Sequence, residues 1–208
     1  MGMSSCKELR EAREISSPGL SRGWGLTEAD LTTLGTLGSV LPALEKLTLI
    51  ESSAAGPDGV RRLAEGLGAG ALPAVTSLTL SSMHVGDAGA SALAAALGRG
   101  ASPRLEGLTL ANAAIGDAGL VALAPALRRL PALEYLFLDG NPFGDEGLAA
   151  LVAPPPPAGA PPAAAGGLAR LWQLNLRRTR ITDAGCATLV AAFNIFTRSL
   201  LAPWHKML

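Results

Sequence analysis

Apolar residues recur along this chain with one fixed spacing. Five segments carry it: Leu44-x-x-Leu47-x-Leu49, Val75-x-x-Leu78-x-Leu80, Leu105-x-x-Leu108-x-Leu110, Leu133-x-x-Leu136-x-Leu138 and Leu171-x-x-Leu174-x-Leu176. Their starts lie 31, 30, 28 and 38 residues apart (75−44, 105−75, 133−105, 171−133). The alternation closing each segment predicts a short strand with side chains on alternate faces. An apolar residue and then Asp-x-Gly follow: Val85 with Asp87 and Gly89, Ile115 with Asp117 and Gly119, Phe143 with Asp145 and Gly147, Ile181 with Asp183 and Gly185. The first repeat has a slipped form, Gly56-Pro57-Asp58-Gly59. Next comes helical spacing: Leu63/Leu67, Leu93/Leu97, Leu120/Leu123/Leu127, Leu148/Leu151 and Leu189/Phe193. The Asp is placed to cap its own helix by accepting backbone N–H bonds. Pro42, Pro73 and Pro131 precede later strands, where proline stops a helix and favours extended backbone.

One strand and one helix cannot bury their apolar faces alone, but stacked copies can. The pattern therefore predicts an α/β solenoid, with parallel strands on a concave wall and helices outside. It resembles the leucine-rich repeat, specifically the ribonuclease-inhibitor subtype, over roughly residues 25–193. The resemblance implies a right-handed α/β horseshoe. The position that usually holds Asn or Cys in the turn carries Ser52, Met83, Ala113, Asn141 and Thr179. Only the fourth repeat has the Asn, so turn amides elsewhere need other partners and a looser stack is expected.

The edges are irregular. Leu26 to Leu34 matches the helix half of a repeat whose strand is missing or degenerate. Residues 1–24 are polar and read as a disordered arm. Residues 153–167 are only Ala, Pro and Gly, an insertion of about ten residues in a helix-to-strand loop. It reads as a tolerated insertion or as a proline-rich docking segment. Residues 194–208 form a tail. Phe196, Leu200, Leu201 and Trp204 fold over the open end as a cap, or the tail is an abrupt end of a longer architecture.

Composition narrows the chemistry. Apolar residues make up 49% and charged residues 16%, which excludes a disordered chain. The net charge of +0 gives no global field toward nucleic acid or an anionic membrane. Two cysteines, Cys6 and Cys186, exclude a disulfide framework and a four-cysteine zinc site. His84 and His205 stand apart, without companions. No phosphate loop, dinucleotide fingerprint, zinc-protease motif or nucleophile elbow is present. No cofactor, metal or catalytic residue is expected. Asp87, Asp117, Asp145 and Asp183 form a regular acidic array that reads as helix capping. Cys186 aligns with Leu120 and Leu148 and reads as a buried thiol. No spanning helix fits, because the longest uncharged stretch, 147–169, holds six prolines and four glycines. The start at Gly2 weakly resembles a myristoylation signal, with Cys6 in the usual Ser/Thr position, so a weak lipid anchor is a minor reading. Cytoplasm, or the nucleus, is the expected location.

What remains is surface. The residues between the strand leucines face the concave wall, and in the middle repeats they are small. In the fourth and fifth they are Tyr135, Phe137 and Asp139, then Gln173, Asn175 and Arg177, with Trp172 at the margin. Aromatics and arginine dominate interface energetics, so these seven residues are the candidate partner-binding site. The alternative is that Tyr135 and Phe137 simply cover one another. The expected function is a non-catalytic module binding a protein partner, as monomer or end-to-end dimer. Resemblance leaves two alternatives: GTPase activation of the Ran-activator type, for which no catalytic residue can be carried over, and a fragment of a NOD-like-receptor repeat array.

Overall fold

The structure, a computed structural model, describes residues 11–16, 27–37, 41–50, 56–67, 70–152 and 167–199. Residues 153–166 of the insertion, the start with Gly2 and Cys6, and the tail beyond Ser199 lie outside them. Six strands alternate with six helices: β1 (Glu14–Ser16), α1 (Glu28–Leu37), β2 (Lys46–Ile50), α2 (Gly56–Gly66), β3 (Ser77–Ser81), α3 (Gly86–Gly98), β4 (Gly107–Thr109), α4 (Asp117–Leu127), β5 (Tyr135–Phe137), α5 (Asp145–Leu151), β6 (Gln173–Asn175) and α6 (Asp183–Ser199). The strands form one parallel sheet in chain order. This is the α/β solenoid that the leucine spacing predicts.

Register follows the leucines. Ile15, Leu47, Leu78, Leu108, Leu136 and Leu174 sit side by side in one row across the sheet. The four inner leucines of that row, Leu47 to Leu136, are at most 2% exposed, packed under the helices. A second periodic feature is a shared carbonyl at each strand start. Thr76 and Ser77 N–H both donate to Glu45 O, Glu106 and Gly107 to Thr76 O, Glu134 and Tyr135 to Glu106 O, and Trp172 and Gln173 to Glu134 O.

The same device reaches back to Arg13 O, which accepts from the amides of Glu45 and Lys46. The span 1–24 was expected to be an unstructured arm, yet its residues Glu14–Ser16 form β1. By register the three leucine positions there are Ala12, Ile15 and Ser17. Only one is strongly apolar, so the strand is degenerate rather than missing.

The Asp-x-Gly turns work between repeats, not within them. The helix starts at Gly116 and Gly144 carry no side-chain cap. Instead Asp87 Oδ1 accepts from Gly116 N at 2.7 Å. Asp117 Oδ1 accepts from Gly144 N and Gly147 N at 2.8 Å each. Asp145 accepts from Thr182 N at 2.8 Å and from the Thr182 hydroxyl at 2.5 Å. Each carboxylate thus satisfies orphan amides of the next helix and lies at its positive end. This also explains the glycine two residues later. A Cβ on Gly119 would lie 2.5 Å from Asp87 Oδ1, and one on Gly147 would lie 3.0 Å from Asp117 Oδ1. The expectation that each Asp caps its own helix is corrected accordingly.

Local caps do occur at α1. Thr27 and Asp30 form a capping box: Thr27 N donates to Asp30 Oδ2 at 2.8 Å and Asp30 N donates to Thr27 Oγ1 at 3.3 Å. These bonds, the backbone one foremost, hold the Asp30 carboxyl below its ordinary value of 3.8. Asn141 fills the ladder position as its residue type suggests. It is 1% exposed, and its Oδ1 accepts from Ala113 N and Ile115 N at 3.1 and 3.0 Å. Its Nδ2 donates to Leu110 O and Leu138 O at 2.7 and 2.8 Å. Opposite Ala113, which lacks the Asn side chain, Gly86 N donates to the Ala113 carbonyl; a further backbone bond recurs at successive turns, from Ser82 N to Ala111 O, Asn112 N to Asp139 O and Gly140 N to Arg177 O.

Candidate functional site

Tyr135, Phe137, Gln173 and Asn175 lie on the last two strands, and Asp139, Trp172 and Arg177 lie in the segments that flank them. Leu136 and Leu138 are fully buried, so alternation turns Tyr135, Phe137 and Asp139 outward, where each is half-buried. Register then sets Tyr135 beside Gln173 and Phe137 beside Asn175. On the other side, β4 offers only Gly107 and Thr109 to Tyr135 and Phe137. The two aromatics therefore form a ledge above a floor of small side chains.

Trp172 extends that ledge. It is 65% exposed, among the most exposed large apolar side chains described, and meets Tyr135 edge-to-face with centroids 5.9 Å apart at 77°. Such an arrangement suits the ring quadrupoles. Tyr135 thus packs on Trp172. Below, Arg170 pairs with Glu134 at 3.1 Å. Sequence reasoning did not single out this ion pair, although both residues flank strand starts.

The polar members form a chain. Asn175 Nδ2 donates to Asp139 Oδ1 at 3.1 Å, and Arg177 N donates to Asn175 Oδ1 at 3.2 Å. These bonds fix Asp139 and Asn175 across the strands. Gln173 and the Arg177 side chain stand exposed beyond them. The structure thus gathers all seven candidates in one patch.

Other sequence readings fare differently. His84 is exposed, as its variable turn position suggests. Cys186 is exposed, not buried. Its counterparts Leu120 and Leu148 are buried under a following repeat, and among the described residues none follows α6. No group of three His, Cys, Asp or Glu side chains among the described residues is arranged to hold a metal ion. No helix among them is long and apolar enough to cross a membrane.

The comparisons agree with this architecture. A family model described as "Leucine Rich repeat" matches residues 130–152, the segment from Leu130 through α5. Repeat spacing, parallel sheet and this match together define a leucine-rich repeat protein. Among solved structures, one titled "Leiomodin-1 Actin-Binding Site 2" aligns with a TM-score of 0.57 at 15% identity, covering 82% of this chain and 90% of that one. The tropomodulin C-terminal domain of Caenorhabditis elegans aligns with a TM-score of 0.58 at 10% identity, covering 84% and 96%. At these identities the likeness is one of fold. No curated protein sequence matches the chain.

Proposed function

We propose that this protein is a non-catalytic module that binds another protein on the concave wall of its last two repeats. The observation carrying this reading is the ledge of Tyr135 and Trp172, standing beside a floor of small residues. An exposed indole on a ridged wall gives a partner a rigid apolar anchor. Around it, Asp139, Gln173, Asn175 and Arg177 supply polar groups that fix the partner's register. Cytoplasmic or nuclear residence is the setting in which such a module works.

The test compares affinity capture by the chain and by a Tyr135→Ala/Phe137→Ala/Arg177→Ala variant matched for folding by circular dichroism. A partner bound by the first should bind the second at least about tenfold more weakly, since interface anchors each contribute ~1 kcal/mol or more. Equal binding by both would refute the site. Filamentous actin belongs in the assay as a defined probe, because one structural neighbour is titled as an actin-binding site. Should the captured partner be a small GTPase, its rate of GTP hydrolysis with and without the chain tests the activator alternative directly.

A further inference from the structure

The exposed indole stands among unused hydrogen-bond donors. The Tyr135 hydroxyl, the Trp172 indole N–H and the Gln173 side-chain amide have no acceptor among the described residues. The Asn175 amide, by contrast, is spent on Asp139. A ligand for this patch must offer carbonyls together with flat apolar surface. A polyproline chain offers both. Proline has no N–H, the polyproline backbone makes no internal hydrogen bonds, and its ring faces are rigid and apolar. Such chains dock on aromatic-lined surfaces at a low cost in ordering. An α-helix fits less well, because its carbonyls are already bonded within the helix.

The row of residues at the strand starts adds a charge condition. Glu45, Thr76, Glu106, Glu134 and Trp172 stand side by side, each amide after the first bonded to the carbonyl of the one before. Two of the carboxylates are already paired, Glu45 with Arg13 at 3.2 Å and Glu134 with Arg170 at 3.1 Å. Glu106 is exposed and has no ion pair among the described residues. It stands two strands from Trp172, which at ~4.8 Å per strand is about 10 Å. A polyproline helix rises ~3.1 Å per residue with three residues per turn. Residues three apart therefore share one side and lie about 9 Å apart. We propose that the partner lays a polyproline segment across the strand starts, one proline on the Trp172 indole and an Arg or Lys three residues away on Glu106. The inference rests on the concave ledge being the binding site and specifies what that site takes. With one free carboxylate in the row, a segment carrying one cation is matched and an acidic one is repelled.

Two fluorescein-labelled peptides are the probes, Gly-Arg-Pro-Pro-Pro-Pro-Pro-Pro-Gly and its reverse, since the cation can lie on either side of the seated proline. Fluorescence anisotropy with the intact chain should show saturable binding of at least one. Trp172→Ala should weaken it at least about tenfold. Glu106→Gln should weaken it about threefold, the scale of an exposed ion pair, and should leave binding of a peptide with Ala in place of Arg unchanged. Glu106→Arg should reverse the preference, binding a peptide with Glu in place of Arg more tightly than the original. Both side chains are exposed, so the variants should fold, which circular dichroism checks. Binding of neither peptide would overturn the proposal. So would full affinity in Trp172→Ala, or an equal loss for the Arg and Ala peptides in Glu106→Gln. These failures are separate from failure of the proposed function. Peptides that do not bind, beside a captured partner lost by the triple variant, remove the polyproline ligand and leave the concave site standing.

Discussion

Asn141 is the most exacting place to test how the stack is held. Replacing it by Ala removes five hydrogen bonds at a position 1% exposed. The amides of Ala113 and Ile115 lose their acceptor, and both residues are fully buried. An orphaned buried donor costs ~1–3 kcal/mol, so the pair sets a loss of about 2–6 kcal/mol, with about 4 as the central value. Three carbonyls, of Leu110, Leu138 and Asp139, also lose a donor. Against a typical total stability of ~5–15 kcal/mol this is a large fraction. At ~2–4 °C per kcal/mol for a chain of this size, the melting temperature should fall by about 12 °C. Urea unfolding followed by far-UV circular dichroism gives the free-energy change. Amide hydrogen exchange localises it: protection should drop at Ala113 and Ile115 and persist at Leu78. A loss below about 1 kcal/mol, or an equal drop at Leu78, would refute the accounting of these bonds.

Other predictions follow from the same contacts. Gly119→Ala places a Cβ 2.5 Å from Asp87 Oδ1 and should cost about 2 kcal/mol in urea unfolding. Gly98→Ala, where a Cβ meets nothing within 4 Å, serves as the control and should cost nothing measurable. Asp145 is held below its ordinary value of 3.8, chiefly by the Thr182 hydroxyl and then by the Thr182 amide. A depressed carboxylate contributes stability above that ordinary value and loses it as pH falls through the folded one. The chain should therefore be more stable than Asp145→Asn near neutral pH, and the gap should close below about pH 4 in unfolding titrations. Pro125 stands inside α4, exposed, where it removes a helix hydrogen bond. Pro125→Ala should raise stability by about 2 kcal/mol, read as a higher urea midpoint.

The strands with three leucines were legible because a period-two apolar pattern can only be buried on one side of a sheet. Asn141 was legible too, since its residue type has one role at that turn position. Strand β1 was not, because Ala12 and Ser17 erase two of its three apolar markers. The Asp-x-Gly turns were seen but misassigned. A linear pattern shows the carboxylate next to its own helix, while the amides that need it belong to the neighbour. Cys186 failed for a related reason: alignment gives the position within a repeat, but burial depends on whether another repeat follows. At the candidate site, strand alternation showed which side chains share a wall. It did not show that Tyr135 packs on Trp172, because Trp172 precedes the alternating stretch and its direction is set by the turn.

The forward reach of each carboxylate gives the array a grammar. Any unit that offers a glycine and free amides at its helix start can follow any unit that offers the aspartate. Asp87, Asp117 and Asp145 all obey that rule, though their neighbours differ in loop length and in wall residues. Units can therefore be duplicated, deleted or lengthened during evolution without redesigning the joint. The wall chemistry is free to diversify while the joint stays constant, and a bland third unit can stand beside an aromatic fourth. The sequence of units thus becomes a text that is edited one word at a time.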